Sequence, residues 1–185
     1  MYEVRIHGRG GQGAVTAANI LARAASCSNL SARAFPAYGP ERRGAPVAAF
    51  LRLDHKHIYL NNLITSPDCV MVIDPKLMET VPILDGLKKN GVVILNTRKI
   101  FGEIQLKGDY HKIAILDATR LAQEILGRPV TNTVMLGAFC RIYPDISIQA
   151  VTRAIQEMFG SPGSDLNVRA AESGYEQTVV EEISI

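Results

Sequence analysis

The sequence predicts a three-layer α/β domain of Rossmann-like type, with a mostly parallel sheet, a β-hairpin and extra C-terminal helices. Three observations lead there. Cys69 to Ile73, Gly91 to Leu95 and Ile113 to Leu116 are apolar throughout and stop at Asp74, Asn96 and Asp117. Such runs suit strands covered on both faces, as in a parallel sheet between two layers. A glycine loop, Gly8-Arg9-Gly10-Gly11-Gln12-Gly13, stands between a strand-length run and an Ala-rich helical one. The last third carries apolar residues at helical spacing. A chain of 185 residues makes one domain, residues 1 to 185.

The elements follow in order. Tyr2 to His7 is the first strand, and Ala14 to about Cys27 the first helix. Ser31 to Phe35 is a second strand, before a loop from Pro36 to Pro46 rich in Gly, Pro and charge. Val47 to Leu53 is another strand; Asp54 to Lys56 then turns into His57 to Leu60, giving the expected hairpin. Leu77, Val81, Leu84 and Leu87 recur at helical spacing, with Lys88 and Lys89 at the end and Asn90-Gly91 as a stop, so Leu77 to Lys89 reads as a helix. Three helices close the chain: Asn132 to Tyr143, Ser147 to Phe159 with Ser147 as cap, and Ser164 to Glu182. Near the end of this helical tail, Tyr175, Val179, Val180 and Ile183 suit either core or interface.

Composition removes several function classes. The formal charge of +2 gives no bulk electrostatic case for nucleic acid or an anionic membrane. No apolar stretch reaches the length of a membrane span, and the start lacks the basic and apolar regions of a secretory signal, so a cytoplasmic protein is expected. Cys27, Cys69 and Cys140 are far apart with no CxxC pair. They are expected to be buried thiols, neither a disulfide framework nor ligands of a metal or iron–sulfur cluster held by this chain alone. His7, His55, His57 and His111 are scattered and show no acid–base pair, so no catalytic residue is assigned.

The glycine loop fits GxGxxG in its mechanical context. Glycines there allow a tight turn and close ligand approach, and the following helix offers free amides to an anion. A dinucleotide site also wants an acid about 20 residues on. That stretch holds none; the nearest acid is Glu41, inside the next loop, although Arg33 would suit a 2′-phosphate. The loop therefore serves close packing, an anion, or a partner surface. In the charged loop, Glu41, Arg42 and Arg43 sit between Gly-Pro and Gly-Ala-Pro. A loop after an early strand lies at the edge where open α/β sheets bind ligands, so it can face the glycine loop. Arginines there suit carboxylate or phosphate, or form a solvated pair with Glu41. Asp74, Asn96 and Asp117 end strands at that edge, as caps or as ligands.

Taken together, Gly8-Arg9-Gly10-Gly11-Gln12-Gly13-Ala14-Val15-Thr16-Ala17-Ala18 and Phe35-Pro36-Ala37-Tyr38-Gly39-Pro40-Glu41-Arg42-Arg43-Gly44-Ala45-Pro46-Val47 closely resemble the gamma subunits of pyruvate:ferredoxin oxidoreductase, in the 2-oxoacid:ferredoxin oxidoreductase family. The likeness continues through Ser66-Pro67-Asp68, Asp74, Gly91 to Thr97, Asn132-Thr133 and Leu136-Gly137-Ala138, so it covers nearly the whole chain. The glycine element also fits subunits acting on 2-oxoglutarate, branched-chain 2-oxoacids or indolepyruvate; the charged loop looks more like the pyruvate or branched-chain type.

The resemblance implies a complex that decarboxylates a 2-oxoacid oxidatively, or makes pyruvate in reverse, using thiamine diphosphate, iron–sulfur clusters, ferredoxin and coenzyme A. Thiamine diphosphate and the clusters are expected on the alpha, beta and delta-type partner subunits. This chain is expected to be a stand-alone gamma subunit, non-catalytic alone, that assists assembly and shares coenzyme A as a ligand. The cofactor-facing residues it implies are Gly8, Gly10, Gly11, Gln12, Gly13, Glu41, Arg42, Arg43 and Asn96. An independent nucleotide-dependent enzyme and a pure scaffold are the competing readings.

Overall fold

A computed structural model describes residues 1–37, 44–106 and 108–183. Seven strands form one sheet: β1 (Tyr2–Arg9), β2 (Ser31–Pro36), β3 (Pro46–Asp54), β4 (Cys69–Val72), β5 (Val92–Asn96), β6 (Lys112–Leu116) and β7 (Val179–Glu182). Their spatial order is β2-β3-β1-β4-β5-β6-β7. β1, β4, β5 and β6 run parallel, as the continuous apolar runs predict. Every residue of β4 is buried, as are the last four of β5 and of β6. Antiparallel strands flank this block: β3 and β2 on one side, β7 on the other.

Among the described residues there are five α-helices, α1 (Ala14–Ser26), α2 (Ala118–Leu126), α3 (Asn132–Ile142), α4 (Ile148–Phe159) and α5 (Asp165–Gln177). Ile6, Met71, Ile94 and Ala114 of the sheet pack in one cluster with the Ala-rich face of α1 and with α3 and α4. Ser147 caps α4 as expected, its hydroxyl accepting from the Ala150 amide at 3.2 Å. The sequence reading did not register α2. Asp117 starts it by accepting from the Arg120 amide at 2.9 Å, and Gly127, at φ 68°, ends it.

Where α3 meets α5, both helices present glycine. A Cβ on Gly137 would overlap the Ala171 carbonyl oxygen, and one on Gly174 would overlap the Val134 carbonyl oxygen. Backbone lies on backbone there, a contact only glycine permits.

The other face of the sheet has a different cover. Val70, Val72, Val93, Leu95, Ile113 and Ile115 pack against Leu77 and Ile83, with Val81, Leu84 and Leu87 partly buried around them. The expected helix from Leu77 to Lys89 does not form. Its place is taken by a short 3₁₀ turn, Pro75–Glu79, and further turns. Pro82 lacks an amide proton and clashes with the preceding helical turn, and Gly86 adopts φ 71°. The apolar residues still cover the sheet, from irregular backbone.

Three further expectations are corrected. The hairpin pairs β2 with β3, while His57 to Leu60 forms no strand. That segment is pinned by Arg52, only 1% exposed, which donates to the Leu60 carbonyl at 3.2 Å and the Glu3 carboxylate at 2.8 Å. The last helix stops at Gln177; Thr178 turns its hydroxyl back to the Gly174 carbonyl at 2.5 Å, and the β-branched Val179 and Val180 enter β7. Tyr175 and Ile183 pack against the core clusters, whereas Val179 and Val180 are exposed. Finally, Cys27 is exposed; Cys69 and Cys140 are buried, and burial pushes both thiols up to about 12, so neither is a thiolate at neutral pH. No helix among the described residues is long and apolar enough to cross a membrane.

Candidate functional site

The glycine loop leaves the end of β1 at the carboxyl edge of the parallel strands. Gly11, at φ 93°, and Gly13, at φ 81°, take left-handed conformations that reverse the chain into α1. A Cβ on Gly13 would also strike the Asn132 side chain at the start of α3. Gly8 is buried, and a Cβ there would sit 3.4 Å from that of Ala14, so its role is close strand–helix packing.

Gln12 latches the loop. Its Oε1 accepts from the Arg9 amide at 2.7 Å, and its own amide donates to the Arg9 carbonyl at 2.9 Å. Its Nε2 donates to Asp74 Oδ2 at 2.9 Å, and Arg9 Nε reaches the same oxygen at 2.9 Å. Asp74 Oδ1 accepts from the Lys76 amide at 3.0 Å and so caps the turn after β4. Burial pushes the Asp74 carboxyl upward, but the hydrogen bonds from Gln12, Lys76 and Arg9 outweigh it and hold the group below its usual range. Asp74 is therefore ionised at neutral pH.

The neighbouring strand tips are fixed by Asn96. Its Nδ2 donates to the Ile73 carbonyl at 2.8 Å and to the Thr119 hydroxyl at 2.9 Å, and its Oδ1 accepts from the Thr119 amide at 3.2 Å. Asn96 thus ties the ends of β4 and β5 to the start of α2. Between these tips opens a cleft of about 400 Å³, whose wall includes Gln12, Asp74, Lys76, Asn96, Arg98 and Thr131. Arg98 lies 3.2 Å from Asp117 at its rim. A second hollow, of about 280 Å³, lies over the start of α1, between Gly10, Gly11, Gly13 and Val47.

The structure therefore brings Gln12 and Asn96 together in the cleft and puts Gly10, Gly11 and Gly13 in the adjoining hollow. Glu41, Arg42 and Arg43 lie outside the described residues. The end of their loop does reach the glycine loop. The Gly44 amide donates to the Gly10 carbonyl at 3.1 Å, the Gly10 amide to the Ala45 carbonyl at 2.9 Å, and Arg9 Nη1 to the Gly44 carbonyl at 3.2 Å. Sequence reasoning left Arg9 out of the site and named Asp74 only as a cap or ligand. The signal was available: two of the three variable positions of the glycine motif, Arg9 and Gln12, carry long hydrogen-bonding side chains, which need a fixed acceptor nearby.

No histidine or cysteine lines either hollow, and among the described residues no three His, Cys, Asp or Glu side chains converge as metal ligands. The arrangement offers donors for binding. His7, at the end of β1, is 7% exposed and accepts from Arg5 Nε at 3.0 Å. Burial first, then the Arg5 charge, lowers it to about 4. The unfolded chain takes up this proton near pH 6.5, before the folded one, so stability present above pH 6.5 is lost as the pH falls toward 4. We expect a loss of about 2 kcal/mol at pH 5 relative to pH 7 from this group. Urea unfolding across that range should show it, and His7→Gln should flatten the slope.

Comparison with known proteins gives consistent results. A family model described as pyruvate ferredoxin/flavodoxin oxidoreductase matches residues 3–177. The gamma subunit common to the pyruvate and ketoisovalerate oxidoreductases of Pyrococcus furiosus is 49% identical over 185 residues, covering 99% of this chain and 100% of the relative. Pyruvate synthase subunit PorC of Methanocaldococcus jannaschii is 46% identical over 177 residues, covering 96% of this chain and 97% of that one. The crystal structure of pyruvate oxidoreductase subunit PORC from Thermotoga maritima superposes with a TM-score of 0.84 at 36% identity, with 98% of each chain covered.

Proposed function

The chain belongs to the pyruvate ferredoxin/flavodoxin oxidoreductase family as a gamma-type subunit, and from that premise we propose that it serves a cytoplasmic complex converting pyruvate and coenzyme A to acetyl-CoA with reduction of ferredoxin. In this reading alpha, beta and delta-type subunits hold thiamine diphosphate and the iron–sulfur clusters. They supply the decarboxylation and electron-transfer chemistry. The gamma chain, non-catalytic alone, helps assemble the complex and offers a surface to coenzyme A.

One observation carries the coenzyme A part. The glycine loop, at the carboxyl edge of the parallel strands, is hydrogen-bonded to the end of the loop that carries Arg42 and Arg43. Amides at a helix start and arginines are the donors that phosphate takes. The Gly11 and Gly13 amides and the two arginines would meet the coenzyme A phosphates, since the Gly10 and Gln12 amides are taken by the Ala45 and Arg9 carbonyls, while Gln12 and Asn96 form the floor of the adjoining cleft.

Two arginine–phosphate contacts are each worth on the order of 1.5 to 3 kcal/mol. Arg42→Ala with Arg43→Ala in the assembled complex should therefore raise the KM for coenzyme A at least tenfold, with the KM for pyruvate unchanged. Steady-state kinetics with a viologen dye as acceptor makes the measurement. An unchanged KM for coenzyme A together with intact assembly would remove the arginines from the site.

A broader substrate reading also has a specific support. The P. furiosus relative is named as common to a pyruvate and a ketoisovalerate enzyme. By analogy, the 2-oxoacid would be chosen by the partner subunits, and the same gamma chain would serve a branched-chain enzyme. Assay of the purified complex with both 2-oxoacids decides this.

A further inference from the structure

Asp74 makes more bonds than its place in the chain requires. To start the turn at Pro75 it needs one oxygen, which accepts the Lys76 amide. Its other oxygen is turned to a different element, more than 60 residues earlier, and takes two side-chain donors there, Arg9 Nε and Gln12 Nε2. Neither donor has a second purpose in the core. Arg9 is partly exposed, and water would satisfy it. Gln12 instead has both ends of its amide engaged, one on Asp74 and one on the Arg9 backbone. Arg9 goes on from Asp74 to the Gly44 carbonyl. A single carboxylate thus joins the tip of β4 to the closure of the glycine loop and to the first described residue after the arginine-bearing stretch.

We infer that Asp74 is the positioning residue of this site: acting through Arg9 and Gln12, it holds the Gly10 to Gly13 backbone and the end of the arginine-bearing loop in the shape that receives a phosphate-bearing ligand. This rests on the reading of the glycine loop given above. It has a further consequence for Arg9. The arginine inside the glycine motif is committed to Asp74, so its charge is not the one offered to the ligand. That task falls to the Gly11 and Gly13 amides, which have no partner among the described residues.

The test uses Asp74→Asn in the assembled complex. Asparagine keeps an acceptor for the Lys76 amide and nearly the same volume, but leaves Arg9 without its counter-charge. Amide hydrogen exchange at residues 9–13 should quicken at least tenfold, with the rest of the chain unaffected. Equilibrium binding of coenzyme A should weaken about tenfold, and its KM should rise in step, while kcat and the KM for pyruvate hold. Gln12→Ala added to Asp74→Asn should bring no further loss of coenzyme A binding, because both changes release the same latch.

Unchanged exchange or unchanged coenzyme A binding overturns the inference. So does a uniform result, with the thermal midpoint, kcat and both KM values shifting together, since lost packing alone produces that. If Arg42→Ala with Arg43→Ala leaves coenzyme A affinity intact while Asp74→Asn still lowers it, the positioning role stands and the role assigned to the two arginines fails.

Discussion

Gly137→Ala should cost about 3 kcal/mol of folding stability, at the upper end of what inserting one methyl group into a packed interior does. The methyl has nowhere to go. Besides overlapping the Ala171 carbonyl oxygen, it would come within 2.5 Å of the Tyr175 amide nitrogen, and both belong to the backbone of α5. A flexible side chain would swing away; a helix must move as a body. Gly174→Ala presses the reciprocal contact, against the Val134 carbonyl, and should cost a similar amount. Because both changes separate the same pair of helices, the double variant should lose less than the sum of the two. Thermal unfolding would register each single change as a fall of about 10 °C. A fall of only one or two degrees would mean that α3 and α5 are not in backbone contact.

Arg52→Ala should have an effect of comparable size, about 3 kcal/mol, for an electrostatic reason. The guanidinium is buried near the end of β3, with Glu3 paired to it on the neighbouring strand, and lies 5.3 Å from the Phe35 ring centre. Removing one partner of a buried pair leaves the other desolvated and without a counter-charge. It also frees the Leu60 carbonyl and Asn62, so the stretch from His55 to Leu63 loses its anchor. Urea unfolding measures the first loss. Limited proteolysis, which should cut Arg52→Ala in that stretch faster than the parent chain, measures the second. Arg52→Met fills the volume but makes none of the bonds, so it should restore part of the stability and none of the protection.

These residues also mark how much was legible in the sequence. The parallel block was readable because strands buried on both faces leave no choice but continuous apolar runs, each ended here by Asp or Asn. The α1 helix and its glycine loop were readable because the loop chemistry is local. The Leu77 to Lys89 stretch misled because its apolar spacing serves a sheet face equally well from turns, and Pro82 outweighed the periodicity. The partner of β3 was misassigned because the true hairpin spans a long loop, while Asp54-His55-Lys56 supplies a local turn that leads to no strand. The end of α5 was lost because the apolar spacing runs on into β7 with no Gly or Pro between them.

The candidate site divides along the same line. The positions of Gly8 to Gly13 followed from the motif. The latch did not, because the bond from Gln12 to Asp74 joins residues far apart in sequence, and spacing within one motif carries no information about such a partner. Asn96 does end its strand at the carboxyl edge of the parallel block, as expected, and its bonds to the Ile73 carbonyl and to Thr119 make it a brace for the cleft floor.

The strand order has a bearing on how the chain is made. β1 is the first strand to be synthesised and lies inside the finished sheet, with β3 on one side and β4 on the other. The β2–β3 pair closes one flank while the rest of the chain is still to come. β4, β5, β6 and β7 then add to the opposite edge in the order in which they leave the ribosome, each finding its neighbour already in place. The sheet can therefore grow outward as it is translated, without any strand having to insert between two that have already paired, and the four-residue strand β7 joins it last.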